Sequence, residues 1–128
     1  MERYESVREE ICRVCRLLYK RGYAVSNDGN VSVRVDADRV LITPSGVSKG
    51  RMTPDMPVLC SLEGHVLEGD RHPSSESKMH LMVYRERPDV RAVVHAHPPF
   101  STARAVCRRP LTERYLAETV LGLGEIPV

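Results

Sequence analysis

A short strand that ends in two histidines constrains the structure of this chain most. The segment from residue 90 to 97 is mainly apolar and ends in His95 and His97, and two prolines follow it directly. Alternate residues of a strand point to the same face, about 6.6–7 Å apart at their Cα atoms. Both imidazoles can therefore reach one Zn²⁺ at about 2.0–2.1 Å. The same pattern also fits two hydrogen-bonded histidines at the end of a strand.

The remaining periodicities predict alternating helices and strands. Apolar residues recur every three or four positions near the N-terminus, as in a helix, and Val31, Val33 and Val35 alternate with polar residues, as in a strand. The predicted elements, in chain order, are helix 3–21, strands 31–35, 39–43, 56–62 and 65–67, helix 74–87, strand 90–97, and helices 100–107 and 112–121. This order predicts mixed α/β layers around a largely antiparallel sheet, within a single domain of residues 1–128.

Charge and hydropathy exclude two classes of partner. The chain has 19 Lys and Arg against 17 Asp and Glu, with the signs interspersed, whereas a nucleic-acid-binding protein needs a concentrated basic face. No apolar run approaches the roughly 20 residues of a membrane span, and the charged N-terminus is unlike a signal peptide. These features predict a cytoplasmic protein that binds neither nucleic acid nor membrane.

Cys12 and Cys15 lie inside the first helical pattern, which favours packing residues over a metal or redox pair.

Two loops of small residues lie beside predicted strands. Gly29-Asn30 comes before the first strand, and Ser45-Gly46 follows the second. In such loops, backbone N–H groups can approach a phosphate closely. Each loop taken alone also fits an ordinary hairpin turn.

A third polar segment, Ser74-Ser75-Glu76, stands at the start of a predicted helix. Hydroxyl groups beside unpaired backbone N–H groups form a site for an anion. The alternative is a Ser N-cap with an acidic first turn. Glu76 near a metal has a further role open to it, because a carboxylate can ligate a metal and then move a proton.

Taken in order, these segments resemble a known family. They are Gly29-Asn30-Val31-Ser32-Val33-Arg34, Leu41-Ile42-Thr43-Pro44-Ser45-Gly46, Pro73-Ser74-Ser75-Glu76 and His95-Ala96-His97. Together they resemble the class II aldolase/adducin family, which includes fuculose-phosphate aldolase and ribulose-phosphate 4-epimerase. The resemblance covers nearly the whole chain and implies a three-layer α/β/α fold, with a central, mainly antiparallel sheet flanked by helices.

The resemblance also implies a set of site residues. Glu76 is implied as the catalytic acid/base, and one Zn²⁺ per subunit is implied to bind His95, His97 and, in the free protein, Glu76. The implied cradle for the phosphate of a sugar-phosphate substrate is Gly29, Asn30, Ser45, Gly46, Ser74 and Ser75. Members of the family usually form homotetramers, which implies a homo-oligomer here.

The reaction implied by this resemblance is reversible retro-aldol cleavage of a ketose 1-phosphate to dihydroxyacetone phosphate and an aldehyde. Pentulose-phosphate 4-epimerisation is an alternative, although that branch typically has Asp at the position of Glu76. A methylthioribulose-phosphate dehydratase is another alternative. A non-catalytic, adducin-like assembly module or an inactive fragment is the alternative from a different class.

One departure from the family pattern affects the metal. Family members supply a third zinc histidine from a His-His-Gly segment beyond the position of Val128. The chain therefore resembles the N-terminal two-thirds of a member. We expect zinc to bind weakly or not at all in the 128 residues, and aldolase activity to be low or absent. His80, one helical turn after Glu76, is interpreted as an exposed or supporting histidine. Tight zinc binding with full turnover would require a replacement ligand such as His80.

Overall fold

The computed structural model describes residues 4–113 and 115–128. The helices are α1 (Glu5–Lys20), α2 (Ser77–Glu86) and α3 (Pro99–Val106), and the strands are β1 (Asn30–Asp36), β2 (Arg39–Ile42), β3 (Val58–Ser61), β4 (Val66–Glu68) and β5 (Ala92–His95). A 3-10 turn lies at Lys49–Arg51, and a π-helical turn lies at Thr119–Leu123. The chain divides into two compact units, the first ending at Ala96 and the second running from His97 to Val128.

All five strands form one sheet in the first unit, in the order β4-β3-β2-β1-β5, and every neighbouring pair is antiparallel. The alternation of Val31, Val33 and Val35 places a strand in this region, as the sequence predicts. Strand β1 lies between β2 and β5, which pair with its two edges. The largely antiparallel sheet is therefore confirmed.

Helices cover the two faces of the sheet. Helix α1 packs one face, where Ile11, Cys12 and Cys15 join buried residues of β1, β2 and β3. Helix α2 packs the opposite face through Leu81 and Tyr84. The three-layer α/β/α arrangement predicted from the resemblance is confirmed. Burial raises the pKa of Cys15 to about 12, so its thiol stays protonated and packs as an apolar group, as predicted.

The strand that carries the histidines is shorter than predicted. Strand β5 ends at His95, whereas the sequence pattern extends the strand to His97. The partner strand explains the difference, because β1 begins at Asn30, which pairs with His95, and offers no residue beyond it. Gly29, at a φ of +72°, turns the chain away from the sheet just before that pair.

The second unit has little regular structure beyond α3. An isolated antiparallel bridge joins Leu111 to Ile126, and Arg104 donates hydrogen bonds at 3.0 Å to the Glu113 carboxylate. The predicted helix 112–121 is wrong in its bounds, since residues 112, 113, 115 and 116 are not helical and the helical segment extends to Leu123. The backbone of Leu111, just before the predicted start of that helix, is instead paired with the backbone of Ile126.

Two further predictions concern the chain as a whole. Within the described ranges, the longest helix is α1, with 16 residues, and no helix has both the length and the apolar character needed to cross a bilayer. The interpretation of residues 1–128 as one domain stays a prediction.

Candidate active site

The carboxylate of Glu76 is the centre of a polar cluster where α2, β1 and β5 meet. Its Oε2 atom accepts a hydrogen bond from the side-chain amide of Asn30 and lies 2.9 Å from His95 Nδ1. Because an ionised carboxylate only accepts hydrogen bonds, Nδ1 of His95 donates in this contact. The Glu76 side chain is 44% exposed, so the carboxylate is both oriented by the protein and open to a small molecule.

Strand register brings Asn30 and His95 together. They are Cα partners in the antiparallel pair of β1 and β5, at the end where both strands face the start of α2. Gly29 makes this junction possible, because a Cβ at that position would lie 3.0 Å from the carbonyl oxygen of His95 and 3.1 Å from the Ala24 side chain. Its positive φ of +72° also disfavours any other residue.

Replacing Gly29 by Ala is therefore expected to lower the free energy of unfolding more than replacing Gly22 by Ala. Both glycines have a positive φ, but a Cβ at Gly22 would meet nothing within 4 Å. Both substitutions place an Ala residue at a positive φ, which lowers the free energy of unfolding in each variant. At Gly29 the close approach of the new Cβ lowers it by about 1–3 kcal/mol more, the usual cost of overpacking. Urea unfolding of both variants measures this difference. Equal losses of stability would show that the junction has room for a methyl group.

Three buried residues outside the predicted site extend the cluster inward. Ser32, His80 and Tyr84 are each 0–1% exposed. His80 Nε2 lies 2.5 Å from Asn30 Oδ1, and Ser32 Oγ lies 2.7 Å from His80 Nδ1 and 2.8 Å from the Tyr84 hydroxyl. His80 is thus a supporting residue rather than an exposed one. Spacing is the signal that identifies the set, because residues 76, 80 and 84 share a helix face and residues 30 and 32 share a strand face.

The three predicted phosphate-binding segments are adjacent in the first unit. Thr43 links to β1, since its N–H donates to the Val31 carbonyl at 3.0 Å and its hydroxyl accepts from the Val31 N–H at 3.1 Å. The Ser45 N–H donates to the His72 carbonyl at 2.9 Å, and the Ser74 N–H donates to the Thr43 carbonyl at 3.0 Å. The loops therefore lie side by side, and their binding of a phosphate stays a prediction.

A buried lysine connects two of these loops. Lys49 Nζ donates to the carbonyl oxygens of Asn27 at 3.1 Å and Val47 at 2.6 Å, and its side chain is 1% exposed. Burial lowers the pKa of Lys49. The ammonium group thereby ties the segment before Gly29 to the segment after Gly46.

The predicted cradle residues differ in their exposure. Ser75, Ser45 and Gly46 are exposed, whereas Asn30 and Ser74 are buried. Ser74 Oγ accepts the Glu76 N–H at 3.3 Å, and its carbonyl accepts the Ser77 N–H at 2.9 Å. Ser74 thus forms the turn that leads into α2, which begins three residues later than predicted. The Asn30 amide is already bonded to Glu76 and His80.

The structure brings two of the three predicted metal ligands, Glu76 and His95, into contact. Glu76 and His95 supply a carboxylate oxygen and an imidazole nitrogen, which are donor types that zinc uses. His97 is the first residue of the second unit and is exposed, so its position relative to the pair stays a prediction. Residues 4–113 and 115–128 contain no group of three or more His, Cys, Asp or Glu side chains placed to hold a metal ion. Catalytic zinc sites have three protein ligands, and this pair has the donor types to supply two of them.

Comparisons with known proteins agree with this fold. The family model described as Class II Aldolase and Adducin N-terminal domain matches residues 9–128. An L-fuculose phosphate aldolase of Methanococcus maripaludis is 42% identical over 94 residues, which are 73% of this chain and 51% of that enzyme. A 3-oxo-tetronate 4-phosphate decarboxylase of Haemophilus influenzae is 42% identical over 96 residues, which are 75% of this chain and 45% of that enzyme.

A solved structure gives the same result. The L-fuculose-1-phosphate aldolase of Thermus thermophilus has a TM-score of 0.79 and 35% identity, covering 96% of this chain and 62% of that one. The chain therefore belongs to the class II aldolase and adducin family. It spans about half the length of the curated relatives it matches.

Proposed function

We propose that this chain carries the acid/base and phosphate-binding part of a zinc-dependent lyase, which cleaves a ketose 1-phosphate to dihydroxyacetone phosphate and an aldehyde. The observation that supports it is the Glu76 carboxylate, which Asn30 and His95 orient while it stays open to solvent. A carboxylate so placed suits proton transfer to a bound substrate. The family supplies the reaction class, since its named relatives here break carbon–carbon bonds of sugar phosphates.

The residues that would hold the metal are His95, His97 and Glu76. Zinc, when bound, supplies Lewis-acid stabilisation of negative charge that develops on the substrate oxygens. The described contacts give the carboxylate two partners in the absence of metal, because both Asn30 and His95 donate to it. Asn30 would keep its hydrogen bond to Glu76 if a ring nitrogen of His95 bound a metal.

Glu76 is the residue that handles the proton. In the cleavage direction, the bond between the third and fourth carbons breaks, and its electron pair stays on the dihydroxyacetone-phosphate side as an enediolate. The hydroxyl on the fourth carbon gives its proton to the Glu76 carboxylate as that carbon becomes the aldehyde. Glu76 then delivers a proton to the enediolate carbon, and in the reverse direction removes it.

The phosphate is proposed to bind among the adjacent loops of the cradle. Ser45, Gly46 and Ser75 are the exposed members, and a hydroxyl or backbone N–H from each can reach a ligand in solution. Arg51 lines the open groove beside Gly46 and adds a positive charge there. A phosphate or sulfate ion is expected in crystals grown with either anion, between Asn30, Ser45 and Ser74.

Replacing Ser75 by Ala is expected to weaken binding of dihydroxyacetone phosphate. One hydrogen bond is worth about 0.5–1.5 kcal/mol, and more when the acceptor is charged, which corresponds to roughly a tenfold increase in Kd. Titration calorimetry measures the change. Ser77→Ala is the matched control, because Ser77 lies two residues further on, in the first turn of α2. An unchanged affinity in the Ser75 variant would remove that residue from the cradle.

Decarboxylation is a second candidate, favoured by the 42% identity to the Haemophilus influenzae decarboxylase. The chemistry is closely related, because loss of CO₂ beside a carbonyl also leaves an electron pair as an enediolate. The two activities separate in one assay. Purified protein with zinc is given L-fuculose 1-phosphate or a 3-oxo-tetronate 4-phosphate, and the products are followed by NMR. Release of an aldehyde from L-fuculose 1-phosphate supports the lyase proposal. Release of CO₂ from the 3-oxo-tetronate 4-phosphate, with no aldehyde from L-fuculose 1-phosphate, would favour decarboxylation instead.

A further inference from the structure

A line of buried hydrogen bonds runs from the Glu76 carboxylate into the core. Asn30 and Ser32 come from β1, His80 and Tyr84 come from α2, and all four side chains are 0–3% exposed. Consecutive members are in contact, in the order Glu76, Asn30, His80, Ser32, Tyr84. We call these five residues the Glu76 relay.

The charge at one end of the Glu76 relay determines the direction of every hydrogen bond in it. An ionised carboxylate cannot donate, so the group of Asn30 that faces Glu76 is the NH₂. The Asn30 oxygen then faces His80, whose Nε2 must carry the proton. Nδ1 of His80 is thereby an acceptor, and the Ser32 hydroxyl donates to it at 2.7 Å. The Tyr84 hydroxyl in turn donates to Ser32 Oγ at 2.8 Å.

The carboxylate end of the relay therefore requires neutral His80 with its proton on Nε2.

We propose that His80 is a positioning residue for Glu76 and acts through the amide of Asn30. The two ends of an Asn side chain have nearly the same shape, so shape alone does not stop the amide from turning over. A turned amide would place its oxygen against the carboxylate and leave Glu76 without this donor. The Nε2–H group of His80 prevents that, because it accepts no hydrogen bond and pairs only with the Asn30 oxygen. The catalytic role of His80 rests on the proposed function, because it depends on Glu76 being the acid/base.

NMR of the ¹⁵N-labelled protein at neutral pH tests the relay directly. The expected spectrum shows His80 protonated on Nε2 alone, and an Asn30 side-chain amide with one proton signal shifted downfield by its bond to Glu76. In His80→Leu the downfield signal is lost. In His80→Gln it is kept, because the Gln amide can donate to the same Asn30 oxygen. Leu81→Ala, a truncation of a buried neighbour in α2, is the control for general loosening and keeps the signal.

A second variant covers the case in which His80→Leu does not fold. Ser32→Ala leaves His80 in place but removes the hydroxyl that donates to Nδ1, so the His80 spectrum is expected to show partial protonation of Nδ1. Protonation of His80 on Nδ1 in the wild-type protein would overturn the proposal. So would an Asn30 signal that is unaffected in both His80→Leu and Ser32→Ala.

Turnover provides the functional readout. In protein with lyase activity, His80→Leu is expected to lower kcat by about 10- to 100-fold with little change in KM, and His80→Gln to restore most of it. Equal kcat values for the Leu and Gln variants would overturn the positioning role. The spectra decide the proposal without any turnover, so failure of the lyase assignment and failure of the relay are distinguishable.

Discussion

Replacing Glu76 by Gln is expected to slow cleavage of a ketose 1-phosphate by about 10²- to 10⁴-fold, the contribution of a positioned acid/base. Gln has nearly the same shape and keeps an oxygen that accepts from Asn30, so the cluster stays assembled. It cannot take up or release the proton of the enediolate carbon. The measurement is the initial rate of aldehyde release at saturating zinc and substrate, for the wild type and the variant.

Glu86→Gln is the matched control for this experiment. Glu86 is the last residue of α2 and is exposed, so the same change of charge is made on the same helix away from the cluster. The control is expected to retain the wild-type rate. A Glu76 variant within tenfold of the wild type would contradict the acid/base role and direct attention to another proton carrier.

Acid is expected to destabilise the protein through His80. Burial is the largest cause that lowers the pKa of His80 from 6.5 to about 4; the nearby charge of His95 lowers it further, while Glu76 opposes the shift. The folded protein therefore holds His80 neutral at a pH where the unfolded chain already binds a proton. This contribution to stability is complete above pH 6.5 and is lost as the pH falls towards 4. At 1.36 kcal/mol for each pH unit, the loss amounts to about 3 kcal/mol.

Urea unfolding at pH 7 and at pH 4.5 measures this loss. Carboxylates also titrate in this range, so the comparison that isolates His80 is the wild type against His80→Gln, which has no titrating group at that position. The free energy of unfolding is expected to fall more steeply with acid in the wild type than in the variant. Parallel pH profiles would show that His80 is not held neutral in the folded protein.

The layers of the fold follow from local patterns that the sequence displays. Helix α1 has a continuous apolar stripe, and the predicted bounds of 3–21 differ from Glu5–Lys20 by one or two residues. The strand alternation at Val31, Val33 and Val35 is equally local. Each of these elements buries one face, so its periodicity alone is sufficient to identify it.

The last part of the chain lacks such a pattern. The sequence predicts a helix over 112–121, but residues 112, 113, 115 and 116 are not helical. In the structure Leu111, the residue just before this range, forms an isolated bridge with Ile126. That contact joins positions fifteen residues apart, and no local period reports it.

The candidate site was predictable only in part for the same reason. Glu76, His95 and Asn30 are identifiable because they lie in segments that resemble a family. The contact between Asn30 and Glu76 depends on strand register and on the packing of α2, which join residues 46 positions apart. His80 and Tyr84 lie outside the family-resembling segments, and Ser32 lies inside one with no role implied for it. Their spacing from Asn30 and Glu76 nevertheless places all three on the same faces of β1 and α2.

Proton exchange on dihydroxyacetone phosphate tests the central proposal most directly, since it requires neither the aldehyde nor knowledge of the sugar. The protein is incubated in D₂O with zinc and dihydroxyacetone phosphate, and deuterium at the hydroxymethyl carbon is followed by NMR. Because deuterium accumulates with time, slow turnover is also detected. We predict incorporation of one deuterium by the wild type and loss of that exchange in Glu76→Gln. Exchange at the same rate in the variant, or no exchange in the zinc-loaded wild type, would contradict the assignment of Glu76 as the acid/base of a zinc-dependent lyase.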